Sequence, residues 1–463
     1  MNQFSHDTIA AIATPIGIGG ISVIRISGSE SFTIVNSVFK GTTNLIDAAS
    51  HTIHYGNIMD PDGVSIIDTV LVSVFHNPNS YTGEDIIEIS SHGGYFVTQK
   101  ILSLLHSGGA RPAKPGEFTQ RAFLNGKLDL TQAEAVADII HSRTEKSHKA
   151  SVMQLSGRLS KHVNIIRDQL LNLCSLLELE LDFSQEGIEL TTKDDVLKRL
   201  ASIEREIKKL ADSYSSGKFV REGVRVALIG KPNAGKSSLL NILLGEERAI
   251  VSEIAGTTRD VIEESIILNG LEFVFFDTAG LRESYDTIEQ EGIRRTLNSL
   301  KQADIALFII DSSFGFSQGD VLMFKQITES AGSQIPFLIC VNKTDIKDKE
   351  FSLLDLGIVH SVEISCKLNL GIEKLKKNLL ELSIPNHDSN SSSIVITNIR
   401  HKEALISALK SLQKAKETIT NGLGGDFAAI DLRDALNYLG EIIGLTTPDD
   451  ILNHIFGKFC IGK

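Results

Sequence analysis

The chain has 463 residues, a formal net charge of −12, and 42% apolar against 22% charged residues. Those proportions belong to a soluble globular chain long enough for about three domains, each with its own core. They exclude a generally basic nucleic-acid binder, so any RNA contact has to come from a local patch or a partner. Nowhere do about 18 apolar residues run together, and Met1–Pro15 lacks a basic segment followed by an apolar one. Neither a membrane span nor a secretory leader is therefore expected. Cys174, Cys340, Cys366 and Cys460 lie far apart without a C-x-x-C pair, which points to a reducing, cytoplasmic setting rather than to disulfides or zinc.

Short apolar runs open the chain. Ile21–Ile26, Thr69–Phe75 and Ile86–Ser90 are expected as strands, divided by turns at Gly17–Gly20, Asp60–Gly63 and Asn77–Ser80. A helix is expected over Phe96–Leu105, stopped by Gly108-Gly109. Together these form a mixed α/β domain ending near Phe118–Asn125. Arg25, Glu84-Asp85 and His92 stand beside glycines, where a ligand can approach the backbone, although singly each is more often a turn or a solvated charge.

From Thr131 the apolar period becomes helical, at Val136, Ile139 and Ile140 and again at Leu170, Leu173, Leu177 and Leu181. A second helical stretch is expected from about Asp194 to Tyr214, with Ser213–Gly217 leading into the next strand. Past a central module comes the polar linker Pro385–Ser393, and helices resume at Asn398–Thr420, Phe427–Ile443 and Pro448–Phe456. That tail is small for a core of its own, and residues 131–215 carry apolar faces that need cover. One helical domain built from both pieces is expected, with the central module inserted between them.

The central module opens with Val224–Ile229, then Gly230-Lys231-Pro232-Asn233-Ala234-Gly235-Lys236-Ser237-Ser238, then Leu239–Leu244. Strand, G-x-x-x-x-G-K-[ST] loop and helix follow in the order a phosphate-binding loop requires. Backbone N–H groups across Asn233, Ala234, Gly235 and on to Ser238 can face phosphate oxygens, helped by the helix N-terminus. Lys236 is expected at the β- and γ-phosphates and Ser237 on Mg²⁺. Gly256-Thr257-Thr258 supplies hydroxyls, with Thr258 completing the Mg²⁺ shell. Ile262–Leu268 and Leu271–Phe276 form a hairpin across Asn269-Gly270. It delivers Asp277-Thr278-Ala279-Gly280, where Asp277 can hold Mg²⁺ through water and the Gly280 amide can sense the γ-phosphate. Ile305–Ile310 and Pro336–Val341 are buried strands, the second delivering Asn342-Lys343-Thr344-Asp345. The Asp345 carboxylate can accept from the ring N–H and exocyclic amine of guanine together, a donor pair that adenine lacks. Ser365-Cys366-Lys367 offers a backbone N–H to the guanine oxygen.

In Ras-like GTPases a glutamine follows Asp-x-x-Gly and orients the attacking water. Here that position is Leu281, which cannot hydrogen-bond. Asn233 carries an oxygen able to coordinate a monovalent cation beside the phosphates. Glu289 is a candidate to orient water, and equally a first-turn glutamate behind a Thr287 cap. Cys460, between Gly457 and Gly462 and near Lys458 and Lys463, is expected to be exposed. It sits at the spacing of a prenylation box, but Ile-Gly-Lys is a poor match.

The phosphate loop, Gly256-Thr257-Thr258-Arg259-Asp260, Asp277-Thr278-Ala279-Gly280-Leu281-Arg282 and the final Cys460-Ile461-Gly462-Lys463 together resemble the MnmE (TrmE) family of tRNA-modifying GTPases. The resemblance covers the whole chain, including Ala13-Thr14-Pro15, Arg25-Ile26-Ser27-Gly28, Pro115-Gly116-Glu117-Phe118 and the stretch Arg121–Leu130. Its two ends are what separate this family from other GTPases. It implies an α/β + α architecture: residues 1–122 an α/β folate-binding and dimerisation domain, 123–218 and 385–463 a discontinuous helical domain, and 219–384 an inserted Ras-like GTPase domain with a mostly parallel sheet.

The resemblance also implies K⁺ on Asn233, Ser252, Ile254 and Thr257 in place of an arginine finger, with paired GTPase domains turning hydrolysis on. It puts the water-orienting glutamate on Glu289 and makes Cys460 a functional thiol. It implies 5-formyltetrahydrofolate or a related folate on Arg25, Glu88, Lys127 and Lys463, and a constitutive homodimer. With an FAD-containing partner, MnmG, the family adds an aminomethyl or carboxymethylaminomethyl group at C5 of the wobble uridine of tRNA. Cys366 departs from the common Ser-Ala-Lys, but the contact expected there is a backbone amide. The competing expectation is a GTP-switch protein for ribosome assembly, which would need neither the N-terminal domain nor the Cys-Ile-Gly-Lys tail.

Overall fold

The computed structural model describes residues 7–182, 192–247, 263–277, 300–313, 318–331, 335–346, 361–383, 394–422 and 425–463. They form two compact units. The first comprises Met1–Ile140, Val152–Leu200 and Lys410–Lys463, and the second His141–Ser151 and Ala201–Leu409.

The first unit is built on a sheet of β1 (Ile9–Ile12), β2 (Gly19–Ser27), β3 (Phe39–Gly41), β4 (Thr52–Met59), β5 (Ile66–Phe75), β6 (Ile86–Gly93) and β7 (Arg111–Pro112), in the order β3-β4-β5-β6-β2-β1-β7. All pairs are antiparallel except β1 with β7. Alternation along the strands turns Ile24, Ile26, Val70, Val72, Val74, Ile87 and Ile89 inward, against Ile101 and Leu105 of the helix Tyr95–Ser107. Each such fully buried aliphatic chain contributes about 1.5–3 kcal/mol. The opposite face leaves cross-strand neighbours Tyr55 and Leu71 and nearby Ile53 at 71%, 47% and 66% exposure. The three strands expected from sequence are present. Four more were not expected, because β1, β3 and β7 are short and β4 interleaves Thr52, His54, Gly56 and Asn57 with its apolar residues.

A buried charge network closes this unit beside β7. Arg121 (3% exposed) contacts Asp7, Glu84 and Glu117 (1% exposed), and Arg111 adds to Asp7 and Glu117. Burial pushes the Glu117 carboxyl up, but hydrogen bonds from Arg111 and the Lys114 amide, with both guanidiniums, bring it below its ordinary value. Glu84, a candidate ligand group on sequence, is thus a member of this network, and His92 is a surface partner of Asp68 at 2.7 Å. In the helix Arg158–Asp182, Leu170, Leu173 and Leu177 are buried as expected. It joins the helix Gly425–Ile443 through Glu178–Arg433 (2.7 Å) and Cys174 Sγ to the Ala429 carbonyl (3.8 Å).

The second unit carries β8 (Val224–Ile229), β9 (Glu263–Leu268), β10 (Leu271–Asp277), β11 (Ile305–Asp311), β12 (Phe337–Asn342) and β13 (Ser361–Glu363), in the order β13-β12-β11-β8-β10-β9. Only the β9–β10 pair is antiparallel. β11, β12 and, apart from Arg225, β8 are apolar on both faces, the pattern of a parallel sheet sandwiched by helices. The expected hairpin turns through Asn269 (φ 49°) and Gly270 (φ 75°), the left-handed pair of a tight two-residue turn.

One expectation is corrected here. Ser213–Gly217 does not lead directly into β8; a further helix spans Tyr214–Glu222 and comes between them. Gly217 lies against Ile396, whose carbonyl oxygen would be only 2.1 Å from an added Cβ. Tertiary packing of the bare glycine, rather than the local Ser/Gly composition, decides the conformation. Among the described residues no helix is long and apolar enough to cross a membrane.

Candidate functional site

In the second unit, the C-terminal ends of the parallel strands converge on one site, where ligands of open α/β sheets are held. β8 ends at Ile229, and the loop Gly230–Gly235 leads into the helix Lys236–Glu247. Ala234 is 2% exposed, while Asn233, Ser237 and Ser238 are exposed, Asn233 at a left-handed φ of 64°. Lys236 crosses beneath the loop, its Nζ donating to the carbonyls of Gly230 (2.9 Å) and Lys231 (3.0 Å). Gly235 adopts φ 101°, and a Cβ there would lie 2.1 Å from Asn342 Nδ2. Only glycine permits that approach.

The end of β12 and the turn after β13 are bonded to the loop after β8 through one residue. Asn342, 1% exposed at the end of β12, donates from Nδ2 to the Ala234 carbonyl (2.9 Å). Its Oδ1 accepts from the Cys366 amide (3.2 Å). Ser365 Oγ donates to Asp345 Oδ1 (2.6 Å) and accepts from the Leu368 amide (3.2 Å), so a buried hydroxyl orients an exposed carboxylate. Thr344 caps Ile364 through its hydroxyl (3.0 Å), and Lys367 is exposed. Lys343 takes φ 64° and bonds Asp311 Oδ2 at 2.5 Å. Burial pushes the Asp311 carboxyl up, but hydrogen bonds from Lys343 and Ser313 hold it below the ordinary carboxylate range. Burial raises the Cys366 thiol, which keeps it protonated. Asp311 was missed in the sequence, although its position after the run Ile305–Ile310 is the same strand-end position that marks Asp277.

Asp277 ends β10, paired in register with Leu228 next to the phosphate loop. Ser252, Ile254, Gly256, Thr257, Thr258, Thr278, Ala279, Gly280 and Glu289 lie outside the described residues.

The first unit brings a second set together. Arg25 on β2 and Glu88 on β6 are direct cross-strand partners, their side chains joined at 2.7 Å. The C-terminal tail packs onto this point. The Gly462 carbonyl accepts from Arg25 Nη1 (3.3 Å), and the Cys460 carbonyl accepts from the Gly116 amide (3.4 Å). Lys463 is thereby half-buried beside the pair, and burial, then the positive Arg25, push its ammonium below the usual lysine range while Glu88 opposes them. The Cys460 thiol is exposed. Lys127 reaches the loop that precedes β6, its Nζ donating to the Pro78 carbonyl (3.0 Å). Of the two rings near Arg25, Tyr81 carried no signal in sequence, and Phe118 only as the last residue of the family motif Pro115-Gly116-Glu117-Phe118.

Comparison with known proteins gives two matching family models: the N-terminus of the GTP-binding protein TrmE over residues 8–127, and the MnmE helical domain over residues 130–460. The chain is 45% identical over 457 residues to the tRNA modification GTPase MnmE of Cytophaga hutchinsonii, covering 99% of this chain and 98% of that protein. It is 45% identical over 467 residues to the protein of the same description from Flavobacterium psychrophilum, covering 99% of both. The corresponding protein of Carboxydothermus hydrogenoformans is 43% identical over 464 residues, covering 99% of this chain and all of its own length.

Proposed function

The chain belongs to the MnmE (TrmE) family, and on that premise we propose that it hydrolyses GTP to GDP and phosphate in the modification of tRNA, at C5 of the wobble uridine. The observation that carries this reading is the C-terminal tail seated on Arg25. A GTP switch for ribosome assembly requires no terminal lysine and thiol beside an arginine–glutamate pair, so the modification reading is favoured over it.

In the nucleotide unit, backbone N–H groups from Asn233 to Ser238 bind the phosphates, and Lys236 turns from its carbonyl partners to the β- and γ-oxygens. Asp345, held by Ser365, accepts from the guanine edge, and the Cys366 amide faces the guanine oxygen. Ser237 stands exposed at the first helical turn and, with Thr258, suits Mg²⁺, which would draw charge from the β- and γ-oxygens. The set Asn233, Ser252, Ile254 and Thr257 is all oxygen, the chemistry of a hard cation, and K⁺ there would neutralise charge developing on the transferred phosphoryl group. Glu289 orients water where Leu281 cannot. Hydrolysis is therefore expected to run several-fold faster in KCl than in NaCl at equal ionic strength. Equal rates in a phosphate-release assay would remove the cation role from Asn233.

In the N-terminal unit, Arg25, Glu88, Lys127 and Lys463 combine three cationic groups with one carboxylate, a set that suits the carboxylates and heterocyclic N–H groups of a folate. A bound formyl-type folate would supply the one-carbon unit, with Cys460 as an accessible thiol at the site's edge. The exposed Ile53, Tyr55 and Leu71 support pairing of two copies through the sheet. The discontinuous helical domain of residues 123–218 and 385–463 then links each N-terminal domain to its GTPase domain. An FAD-dependent partner of the MnmG type and tRNA complete the assembly, which acts in the cytoplasm. The decisive experiment is mass analysis of wobble uridine from cells lacking this protein, restored with the wild type or with Cys460→Ser. Loss of the modified base and its return only with the wild type are expected. Normal uridine modification without the protein would sink the assignment, and full restoration by Cys460→Ser would end the thiol's role.

A further inference from the structure

Arg25 is held by hydrogen bonds and lies over two aromatic rings. Nε and Nη2 reach Glu88 (2.8 and 2.7 Å), and Nη1 reaches the Gly462 carbonyl (3.3 Å). The guanidinium carbon lies 5.3 Å from the centroid of the Tyr81 ring and 5.6 Å from that of Phe118, within cation–π range. Phe118 is fully buried, whereas Tyr81 is half-buried with its hydroxyl bonded to Thr119 Oγ1 (2.9 Å). Burial raises that hydroxyl above its usual range, so it remains a neutral partner.

The loop that carries Tyr81 has little freedom. Lys127 Nζ bonds the Pro78 carbonyl (3.0 Å), and Asn125 Nδ2 bonds that of Thr82 (2.8 Å). The hydroxyls of Ser27 and Thr82 lie 2.8 Å apart, and Glu84 is gripped by Arg121 at 3.1 Å. A clasped loop of this kind sets the ring, and the ring sets the cation.

We infer that Tyr81 is a positioning residue of this site: with Phe118 it holds the Arg25 guanidinium against Glu88 and the Gly462 carbonyl, and so seats the terminal Lys463. The inference rests on the one-carbon reading given above and refines it. With much of its donor capacity spent on Glu88 and Gly462, Arg25 acts on a folate mainly through where it puts Lys463. Tyr81 thereby determines whether the lysine is presented at all.

The test uses Tyr81→Ala, Tyr81→Leu and Tyr81→Phe in the full chain. One readout is the rate at which carboxypeptidase releases Lys463, followed by intact mass; the other is 5-formyltetrahydrofolate affinity by calorimetry. Loss of the aromatic face in the Ala and Leu variants is expected to speed release and weaken folate binding by about tenfold each, with Phe within about twofold of wild type. Circular dichroism and GTP affinity, unchanged in all three, report intact folding, and the Leu variant keeps the apolar volume should Ala unfold. Wild-type tail protection and folate affinity in Tyr81→Leu would overturn the inference. If the wild type bound no folate, the one-carbon reading would fall, and the rate of lysine release would still decide the role of Tyr81.

Discussion

Replacing Asp345 by Asn is expected to weaken GTP binding by about 100- to 1,000-fold, and to create affinity for xanthosine triphosphate. The carboxylate is already aimed by the Ser365 hydroxyl at 2.6 Å, so no reorganisation is needed before it accepts from the guanine N1–H and N2–H₂. An amide in its place sets a donor against a donor on one of those groups. Xanthine, with an oxygen where guanine has the amine, restores the match. Titration of fluorescent GTP and XTP analogues measures both affinities. Unchanged GTP binding, or no gain for XTP, would contradict the assignment of Asp345 to the base.

Gly462→Ala is expected to release the C-terminal tail and abolish tRNA modification while nucleotide binding persists. Gly462 has φ 93°, and an added Cβ would lie 2.3 Å from the Ile12 carbonyl oxygen and 2.8 Å from Ala13 Cα. Both neighbours are backbone of β1 or its end, which cannot rotate aside as a side chain can. The left-handed dihedral alone costs about 1–3 kcal/mol for a non-glycine residue, and the overlap adds to it. Hydrogen exchange reads the outcome directly, because the Gly116 amide is bonded to the Cys460 carbonyl. Its protection is expected to fall about ten- to a hundredfold in the variant. An equally protected Gly116 amide, with normal levels of modified uridine, would mean that the tail tolerates a methyl group there.

The nucleotide half was readable because its signals are local. Asp277 and Asn342 end apolar runs that read as buried strands, Asn233 and Asp345 follow such runs within four residues, and chain order alone puts them at one sheet edge. Their supporting partners were less visible. The tie from Asn342 to the Ala234 carbonyl spans 108 residues of sequence, and no pattern announces it. The N-terminal site shows the limit more sharply. Arg25, Glu88 and Lys463 come together through strand register and a contact 437 residues apart in the chain, so composition and periodicity could flag Arg25 only as a charge beside glycine. Family resemblance supplied that grouping; it named the charged residues but not Tyr81, nor the contact of Phe118 with Arg25, nor the packing at Gly462. The extra helix at Tyr214–Glu222 was hidden for the same reason, since a contact with Ile396 overrides a Ser/Gly-rich stretch.

The side chain of Asn342 has one further implication. Its amide end holds the carbonyl of Ala234 in the glycine-rich loop, and its oxygen end holds the Cys366 amide, the one proposed above to face the base. Whatever stiffens one end lowers the entropic cost of filling the other. If that site assignment holds, two halves of the nucleotide offered separately, guanosine and an inorganic polyphosphate, are expected to recruit one another as heterotropic ligands across a single carboxamide.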